Sequence, residues 1–277
     1  MIVLDTYAGL ANRMRTIVSG VSMAKAFEQN LTVIWPINSD LNCSYCDLFL
    51  PNRDFEIKSE SFTSWLLRRH YSRYYFIRKL SDLYSGIFSY NYNLYDSDFN
   101  EKVWVPPLYS LTKEKIHDFN NAYIKTCNEF FLPSVKYSEV FIPHDSISML
   151  INKNVSLIDS YTIGVHIRQN DHTESIRKTP LAKFIGAMNN EVDIQSKTNF
   201  YLASDSVSVK NEVIKIFGKD RIFVQDGEIG RGSKTGMIHS MVDLYSLSHC
   251  CKIYGSYGSS FSEVASNLNK KELIIPK

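Results

Sequence analysis

The chain has 277 residues, which is longer than a single hydrophobic core usually supports, so two domains are expected. Its formal charge of +2, with 22% charged and 44% apolar residues, creates no global field that would favour nucleic acid as a partner. No window approaches about 18 uninterrupted apolar residues, and no basic region followed by an apolar core opens the sequence. We therefore expect a cytoplasmic protein without a membrane span.

The N-terminal half begins with a predicted strand, a helix and a second strand. Residues 1–5 and 31–35 are rich in β-branched and apolar residues, and apolar residues between them recur at helical spacing up to about Gln29. The first loop of such a unit lies at the carboxyl edge of the sheet, where a helix N-terminus favours an anion. Asn12 and Arg13 open this helix and are candidate ligands of an anion. Alternatively, Asn12 only caps the helix and Arg13 only contacts solvent.

Residues 36–160 are less regular. A predicted helix at 59–83 contains a basic and aromatic band at 68–79, which is either a solvent-exposed face or a peripheral contact to an acceptor or a membrane surface. Residues 84–110 are rich in Tyr and Asn and are predicted to be irregular, whereas 122–127 is predicted to be a strand. The crossing at 143–160 places the domain boundary near residue 155, which gives domains at 1–155 and 156–277.

Neither the cysteines nor the acidic residues indicate a metal site. Cys43 and Cys46 form a single CxxC pair, with no second pair of Cys or His at the spacing of a zinc site. An Asp-Ser-Asp sequence at 96–98 follows a polar stretch, whereas a metal-binding DxD should close a buried strand. We therefore expect no metal ion and no other cofactor.

The C-terminal half alternates strictly between strand and helix patterns. Strands are predicted at 161–168, 199–204, 221–224, 252–255 and 272–275, and helices near 180–191, 206–217, 234–249 and 260–268. Such alternation is typical of a doubly wound parallel sheet. The predicted class is therefore α/β, with a Rossmann-like second domain.

Three loops of this half should meet at the carboxyl edge of that sheet. Arg168 and Asp171 follow the first strand, Asp205 follows the second, and a loop with two glycines and three serines at 255–260 precedes the last helix. The fork of the Arg168 guanidinium and the N–H and hydroxyl groups of the loop suit phosphate oxygens. The alternative is a surface ion pair of Arg168 with Asp171 beside ordinary helix capping. Their coincidence at one edge favours a diphosphate nucleotide as ligand.

The polar residues after the first strand of this half also resemble a known motif. His166 to Asp171 resembles the H-x-R-x-x-D motif of the fucosyltransferases that make α1,2 and α1,6 linkages and of the protein O-fucosyltransferases. Residues 9–15 are similar to the glycine-rich loop of bacterial nodulation-type α1,6 enzymes, in which Arg follows Asn. Residues 201–205 and 243–260 are similar to the second and third motifs of the same superfamily.

This resemblance implies a GT-B-like protein with two Rossmann-like domains that face each other across a cleft. It implies an inverting, metal-independent enzyme that moves fucose from GDP-fucose to an oligosaccharide or lipid-linked glycan, with the acceptor on the side of the N-terminal domain. The implied donor-binding residues are Asn12, Arg13, His166, Arg168, Asp205, Asp243, Ser259 and Ser260. Two alternatives remain: a transferase that uses another nucleotide sugar, and a non-catalytic nucleotide- or glycan-binding protein.

The catalytic base is the point at which the sequence departs from the family. The α1,6 enzymes carry a Glu five residues after the Asp of the motif, and that position is Ile176 here. A carboxylate is the usual base for activating an acceptor hydroxyl, so Glu174 is the first candidate and His172 the second. Asp171 is interpreted as support for the turn at Arg168.

Overall fold

The structure is a computed structural model of the chain, and it describes residues 1–59, 79–80, 92–95, 122–170 and 173–277. The chain divides into two compact units, Met1–Phe141 and Ile142–Lys277. Each unit is built on a parallel sheet, so the predicted α/β class is confirmed.

The first unit contains a five-stranded sheet in the order β3-β2-β1-β5-β4, in which every pair is parallel. The strands are β1 (Ile2–Thr6), β2 (Leu31–Ile34), β3 (Glu56–Lys58), β4 (Tyr92–Tyr95) and β5 (Ala122–Thr126). Its described helices are α1 (Leu10–Ala26), α2 (Tyr45–Leu48) and α3 (Tyr137–Val140). The central strand β1 is buried along its whole length, as expected for a strand with neighbours on both sides.

Helix α1 packs closely against β1. Its residues Met14, Ile17 and Val21 are fully buried, which agrees with their helical spacing in the sequence. A Cβ atom at Gly20 would lie only 2.7 Å from Leu4 Cδ2, so glycine at this position allows the close approach. The predicted β-α-β start of the chain is confirmed.

The second unit contains a five-stranded parallel sheet in the order β10-β9-β6-β7-β8. Its strands are β6 (Thr162–Ile167), β7 (Asn199–Ser204), β8 (Ile222–Phe223), β9 (Ile253–Tyr254) and β10 (Leu273–Ile274). Its helices are α4 (Asp145–Val155), α5 (Thr173–Lys178), α6 (Leu181–Ile194), α7 (Val207–Phe217), α8 (Lys234–His249) and α9 (Ser260–Asn269). Strands β7 and β8 lie on one side of β6, whereas β9 and β10 lie on its other side. The strand order therefore reverses between β6 and β9. Ligands of open parallel sheets bind at such a reversal.

The two faces of β6 differ in the side chains that they present. Ile163, Val165 and Ile167 belong to the hydrophobic core of the unit. On the other face, a Cβ atom at Gly164 would lie 3.0 Å from Leu247 Cδ2, so α8 crosses the strand closely at this point. His166 follows on the same face as Gly164, because side chains alternate along a strand. The packing thus directs an imidazole to the α8 and α9 side of the sheet.

The boundary between the units falls earlier than the sequence predicted. The sequence predicts that residues 142–155 belong to the first domain, whereas α4 packs against α8 and lies in the second unit. Ile147 and Ile151 form its buried face. Asn154 Nδ2 near its end donates a hydrogen bond of 3.0 Å to the hydroxyl of Tyr201 in β7. An amphipathic helix belongs to the unit whose core its apolar face covers, and only the tertiary structure shows which core that is.

Some sequence predictions concern residues outside the described ranges. They are most of the predicted helix at 59–83, including the basic band at 68–79 apart from Lys79, and the Asp-Ser-Asp sequence at 96–98. Within the described residues, no helix is long and apolar enough to cross a membrane.

Candidate functional site

The carboxyl end of β6 is held by hydroxyl groups from both neighbouring strands. Ser204, the last residue of β7, donates from Oγ to the carbonyl oxygen of Ile167 at 2.7 Å. On the other side, Ser256 donates from Oγ to the carbonyl oxygen of His166 at 3.1 Å and accepts from the backbone N–H of Arg168 at 2.9 Å. The backbone that carries Arg168 is therefore fixed before any ligand binds.

Asp205 holds the turn that follows Arg168. Its Oδ1 accepts from the backbone N–H of Gln169 at 2.8 Å, and its Oδ2 accepts from that of Asn170 at 3.3 Å. The Asn170 side chain donates in return to the carbonyl oxygen of Asp205. The sequence left open whether Asp205 contacts a nucleotide or supports Arg168. The two hydrogen bonds support the turn after Arg168, and each carboxylate oxygen keeps a lone pair that could accept a further bond from a ligand.

The loop at 255–260 joins β9 to the N-terminus of α9. Gly258 has a φ of +63°, in the left-handed region where glycine carries no strain. The backbone N–H of Tyr257 donates to Thr179 Oγ1 at 3.1 Å, and Lys178 Nζ lies 3.9 Å from the centre of the Tyr257 ring. The loop is thus anchored to the end of α5. Because α9 has ten residues, its first N–H groups and its macrodipole favour an anion at this place.

Two buried polar groups near this edge have no hydrogen-bond partner in the described part of the protein. They are Oγ of Ser259, a residue that is 2% exposed, and the side-chain nitrogen Nε2 of Gln169. Ser259 is the N-cap of α9, yet its side chain makes no capping bond. Burying a polar group without a partner costs about 1–3 kcal/mol. Together with Arg168, these groups suit an oxygen-rich anion, which would satisfy them.

The sequence identified Ser259 and Ser260 but not Gln169. Ser260, the first residue of α9, is 8% exposed and places its backbone N–H at the helix N-terminus. Gln169 lies inside the H-x-R-x-x-D pattern at a variable position, so nothing in the residue type marked it. Only the burial of its amide, which follows from the turn held by Asp205, distinguishes it.

His166 is enclosed in the unit and does not reach the open edge. Its Nδ1 lies 2.8 Å from Ser262 Oγ, and its ring stacks on Phe261 at 4.7 Å between ring centres. Burial, with a smaller effect of the Arg168 charge, lowers the pKa of His166 from 6.5 to about 3. The imidazole is therefore neutral at physiological pH. Its contacts join β6 to the start of α9, so it shapes the strand end.

Asp243 also makes its contacts inside the second unit. Its Oδ1 accepts a hydrogen bond of 2.7 Å from the hydroxyl of Tyr201. Tyr201 stands three residues before Ser204, which is about 10 Å along β7 from the carboxyl edge. Burial raises the pKa of the Asp243 carboxyl from 3.8 to about 6, against the charges of Lys210 and His239. The contact with Tyr201 gives Asp243 an internal partner, and its place in the donor site stays a prediction.

The raised pKa of Asp243 gives stability a pH dependence. Between about pH 4 and 6 the folded state keeps a proton that the unfolded state has released. The stabilising contribution of this proton is complete below about pH 4 and is lost as the pH rises to about 6. We expect D243N, which cannot ionise, to gain stability relative to the wild type across this window. Urea unfolding between about pH 4 and 7 measures the difference, with D193N as a control at an exposed carboxylate. A difference that is constant with pH would contradict this expectation.

Arg13 makes its contacts with the loops after β1 and β2. It is fully buried in the first unit, where Nε donates to the carbonyl oxygen of Ala8 at 2.8 Å and Nη1 to that of Pro36 at 2.6 Å. Nη2 lies 3.4 Å from Asn38 Oδ1, and the guanidinium carbon lies 4.9 Å from the centre of the Trp35 ring. The cation joins the loop after β1 to the loop after β2. The full burial of Arg13 excludes the solvent contact that was the alternative, whereas a contact to phosphate stays a prediction.

Asn12 remains a candidate ligand of an anion. It lies in the first turn of α1 and is half-buried, and its side chain makes no hydrogen bond to the described residues. The N-cap of α1 is Gly9, which has no side chain with which to cap the helix. The amide of Asn12 is therefore available to a ligand at this helix N-terminus.

Glu174 lies on the short helix α5 directly after the turn at Arg168. Its side chain is 54% exposed, and Oε1 lies 3.1 Å from Lys178 Nζ. Hydrogen bonds to Tyr257 and Glu174 raise the pKa of Lys178. The candidates Asp171 and His172 fall outside the described residues. No group of three or more His, Cys, Asp or Glu side chains that could hold a metal ion occurs among the residues that the structure describes.

Comparisons with known proteins give matches to solved structures alone. No model of a known protein family and no curated protein matches the chain. A NodZ α1,6-fucosyltransferase co-crystallised with GDP has a TM-score of 0.63 at 16% identity, over 96% of this chain and 92% of that chain. The NodZ fucosyltransferase from Bradyrhizobium has a TM-score of 0.61 at 15% identity, over 96% and 93%.

Two further fucosyltransferase structures are also similar to this chain. A mutant of Arabidopsis thaliana FUT1 in complex with GDP has a TM-score of 0.58 at 13% identity, over 99% of this chain and 69% of that chain. POFUT1 in its apo form has a TM-score of 0.55 at 9% identity, over 99% and 97%. At such identities the likeness defines the fold. The chain has the GT-B-like α/β fold of these fucosyltransferases, as the sequence predicted.

Proposed function

We propose that the protein is a fucosyltransferase that binds GDP-fucose and transfers fucose to a hydroxyl group of a glycan. The observation that carries this proposal is the set of fixed donors at the strand-order reversal of the second unit: Arg168, the N-terminus of α9 and the unpaired Ser259 Oγ. Four motif resemblances in family order and the fold shared with GDP-bound fucosyltransferases support GDP-fucose as the donor.

The proposed reaction proceeds with inversion. The acceptor oxygen attacks the anomeric carbon of fucose, the bond from this carbon to the diphosphate breaks, and the electron pair leaves with GDP. Arg168 and the N–H groups of α9 bind the phosphate oxygens that gain charge. We propose that no metal ion is needed, because a fixed guanidinium and a helix N-terminus supply the stabilising field.

Glu174 is the proposed base that takes the proton of the acceptor hydroxyl. Its position on α5, immediately after the turn at Arg168, brings a carboxylate next to the donor site along the chain. The ion pair with Lys178 has to open for this role, and at an exposed site such a pair costs less than about 1 kcal/mol to break. The acceptor is proposed to be an oligosaccharide or a lipid-linked glycan, as the family resemblance implies.

A thermal-shift panel with GDP, UDP and ADP tests the nucleotide step. We expect GDP to raise the unfolding temperature most, because ligands that bind only the folded state stabilise it. A larger shift with UDP would favour a transferase that uses another nucleotide sugar, since the phosphate donors do not read the sugar. The absence of a shift with all three would refute a nucleotide site.

Slow hydrolysis of GDP-fucose then separates an enzyme from a binding protein. We expect the wild type to release fucose, and E174Q to lose transfer to an added acceptor while it keeps the GDP-induced shift. An active E174Q would exclude Glu174 as the base. GDP binding without hydrolysis or transfer by the wild type would favour a non-catalytic nucleotide-binding protein.

A further inference from the structure

The side-chain amide nitrogen of Gln169 contributes no hydrogen bond to the described part of the protein. Its backbone N–H is held by Asp205 Oδ1 at 2.8 Å, so the residue itself is fixed. Its side-chain nitrogen is nevertheless buried and makes no hydrogen bond. An amide buried in this way is less favourable than an apolar side chain of equal size, which would leave no donor unsatisfied. Stability alone therefore gives no reason for glutamine at this position.

The position of Gln169 relates this unsatisfied donor to the ligand site. It is the next residue after Arg168, and its neighbours on both sides are held by Ser256 and Asp205. The strand-order reversal between β6 and β9 lies at the same end of β6. Ser259 Oγ, the other unpartnered group, lies on the loop that follows β9. Both orphaned groups therefore follow the carboxyl ends of the two strands between which the order reverses.

We infer that Gln169 is a further donor-binding residue whose side-chain N–H donates to a phosphate oxygen of the bound nucleoside diphosphate. The inference rests on the proposed function and extends it to a residue outside the recognised motif positions. A neutral amide at this place complements the charged Arg168 guanidinium. The amide adds a directional hydrogen bond without adding charge.

Two substitutions at position 169 test the inference by GDP titration calorimetry. Q169M keeps the length of the side chain and removes the donor, so we expect the affinity for GDP to fall about 10- to 100-fold, the value of one hydrogen bond to a charged group. Q169E replaces the donor with a carboxylate that repels phosphate, so its loss should be larger. Q195M, which makes the same change at an exposed glutamine, should bind GDP as the wild type does.

Thermal unfolding of the ligand-free variants separates this role from a structural one. Because Q169M removes an unsatisfied buried donor, its unfolding temperature should equal or exceed that of the wild type. Wild-type GDP affinity in Q169M, or a fall in stability that accompanies the fall in affinity, would overturn the inference. If the wild type itself does not bind GDP, the proposed function has failed. If the wild type binds GDP and Q169M binds it equally well, only the inference has failed.

Discussion

Replacement of Arg168 by Met should reduce GDP-fucose turnover by about 100- to 1,000-fold, the range measured for the loss of one fixed donor to a developing anion, and should also weaken GDP binding. The effect is large because Ser204 and Ser256 fix the backbone at the end of β6, so the main chain that carries the guanidinium does not have to be ordered when the ligand binds. R168K keeps the positive charge and loses the planar fork. We expect it to retain part of the affinity of the wild type, because a point charge cannot bind two oxygens in the same geometry.

Arg221 provides a matched control for this experiment. Its Nη1 donates to the carbonyl oxygens of Ser196 and Thr198 at 2.8 and 3.0 Å, near the amino end of the same sheet. R221M therefore removes the same charge from the same unit at the opposite edge. It should lower stability and leave GDP affinity unchanged. Equal loss of affinity in R221M and R168M would indicate that only net charge matters.

Replacement of Asp205 by Asn should have the second largest effect, on both stability and binding. Each carboxylate oxygen accepts a backbone N–H, from Gln169 and from Asn170. In D205N one oxygen becomes an NH₂ group that faces another donor, so one hydrogen bond is lost and a backbone N–H is left unpaired. We expect a loss of about 1.5–3 kcal/mol in the free energy of unfolding. The turn after Arg168 loosens, and GDP affinity should fall about 100-fold.

Asp159 allows the two consequences of D205N to be separated. It supports the other end of β6, where its Oδ1 accepts from the backbone N–H of Tyr161 at 2.9 Å and from Thr162 Oγ1 at 2.8 Å. D159A, which removes both hydrogen bonds, should therefore lower the free energy of unfolding in urea and leave GDP affinity at the level of the wild type. If D159A and D205N weaken GDP binding equally, the effect is general destabilisation and Asp205 has no special role in the site.

The predictions that succeeded from sequence rest on local patterns. The β-α-β start and the alternating second half were found because hydrophobic periods and strand propensities are properties of neighbouring residues. Arg168 and Ser259 are predicted as site residues in the same way, since each lies where a predicted strand or helix changes to a loop, and their roles stay predictions. Helix α4 was assigned to the wrong domain because its apolar face does not reveal which core it covers.

Contacts between residues distant in sequence could not be predicted. Arg13 was placed by its position at a helix start, but Pro36 and Asn38 decide that its guanidinium is buried. Asp243 was placed by its spacing from the serines, but the hydroxyl of Tyr201, 42 positions away, takes its carboxylate into the unit. A charge pattern cannot distinguish a ligand contact from an internal one, because both need the same residue types.

The sequence by itself determined that this protein is an α/β chain, and it predicted a cluster of anion-binding groups after the strand that ends at Ile167. Only the tertiary structure decided that the strand order reverses there, because β9 pairs with one edge of β6, whereas β7 and β8 lie on the opposite side. That pairing brings Ser256 to the backbone of Arg168 across 88 positions of sequence. The residue types are local information, whereas the burial of Gln169 and the support by Asp205 depend on which strands are neighbours.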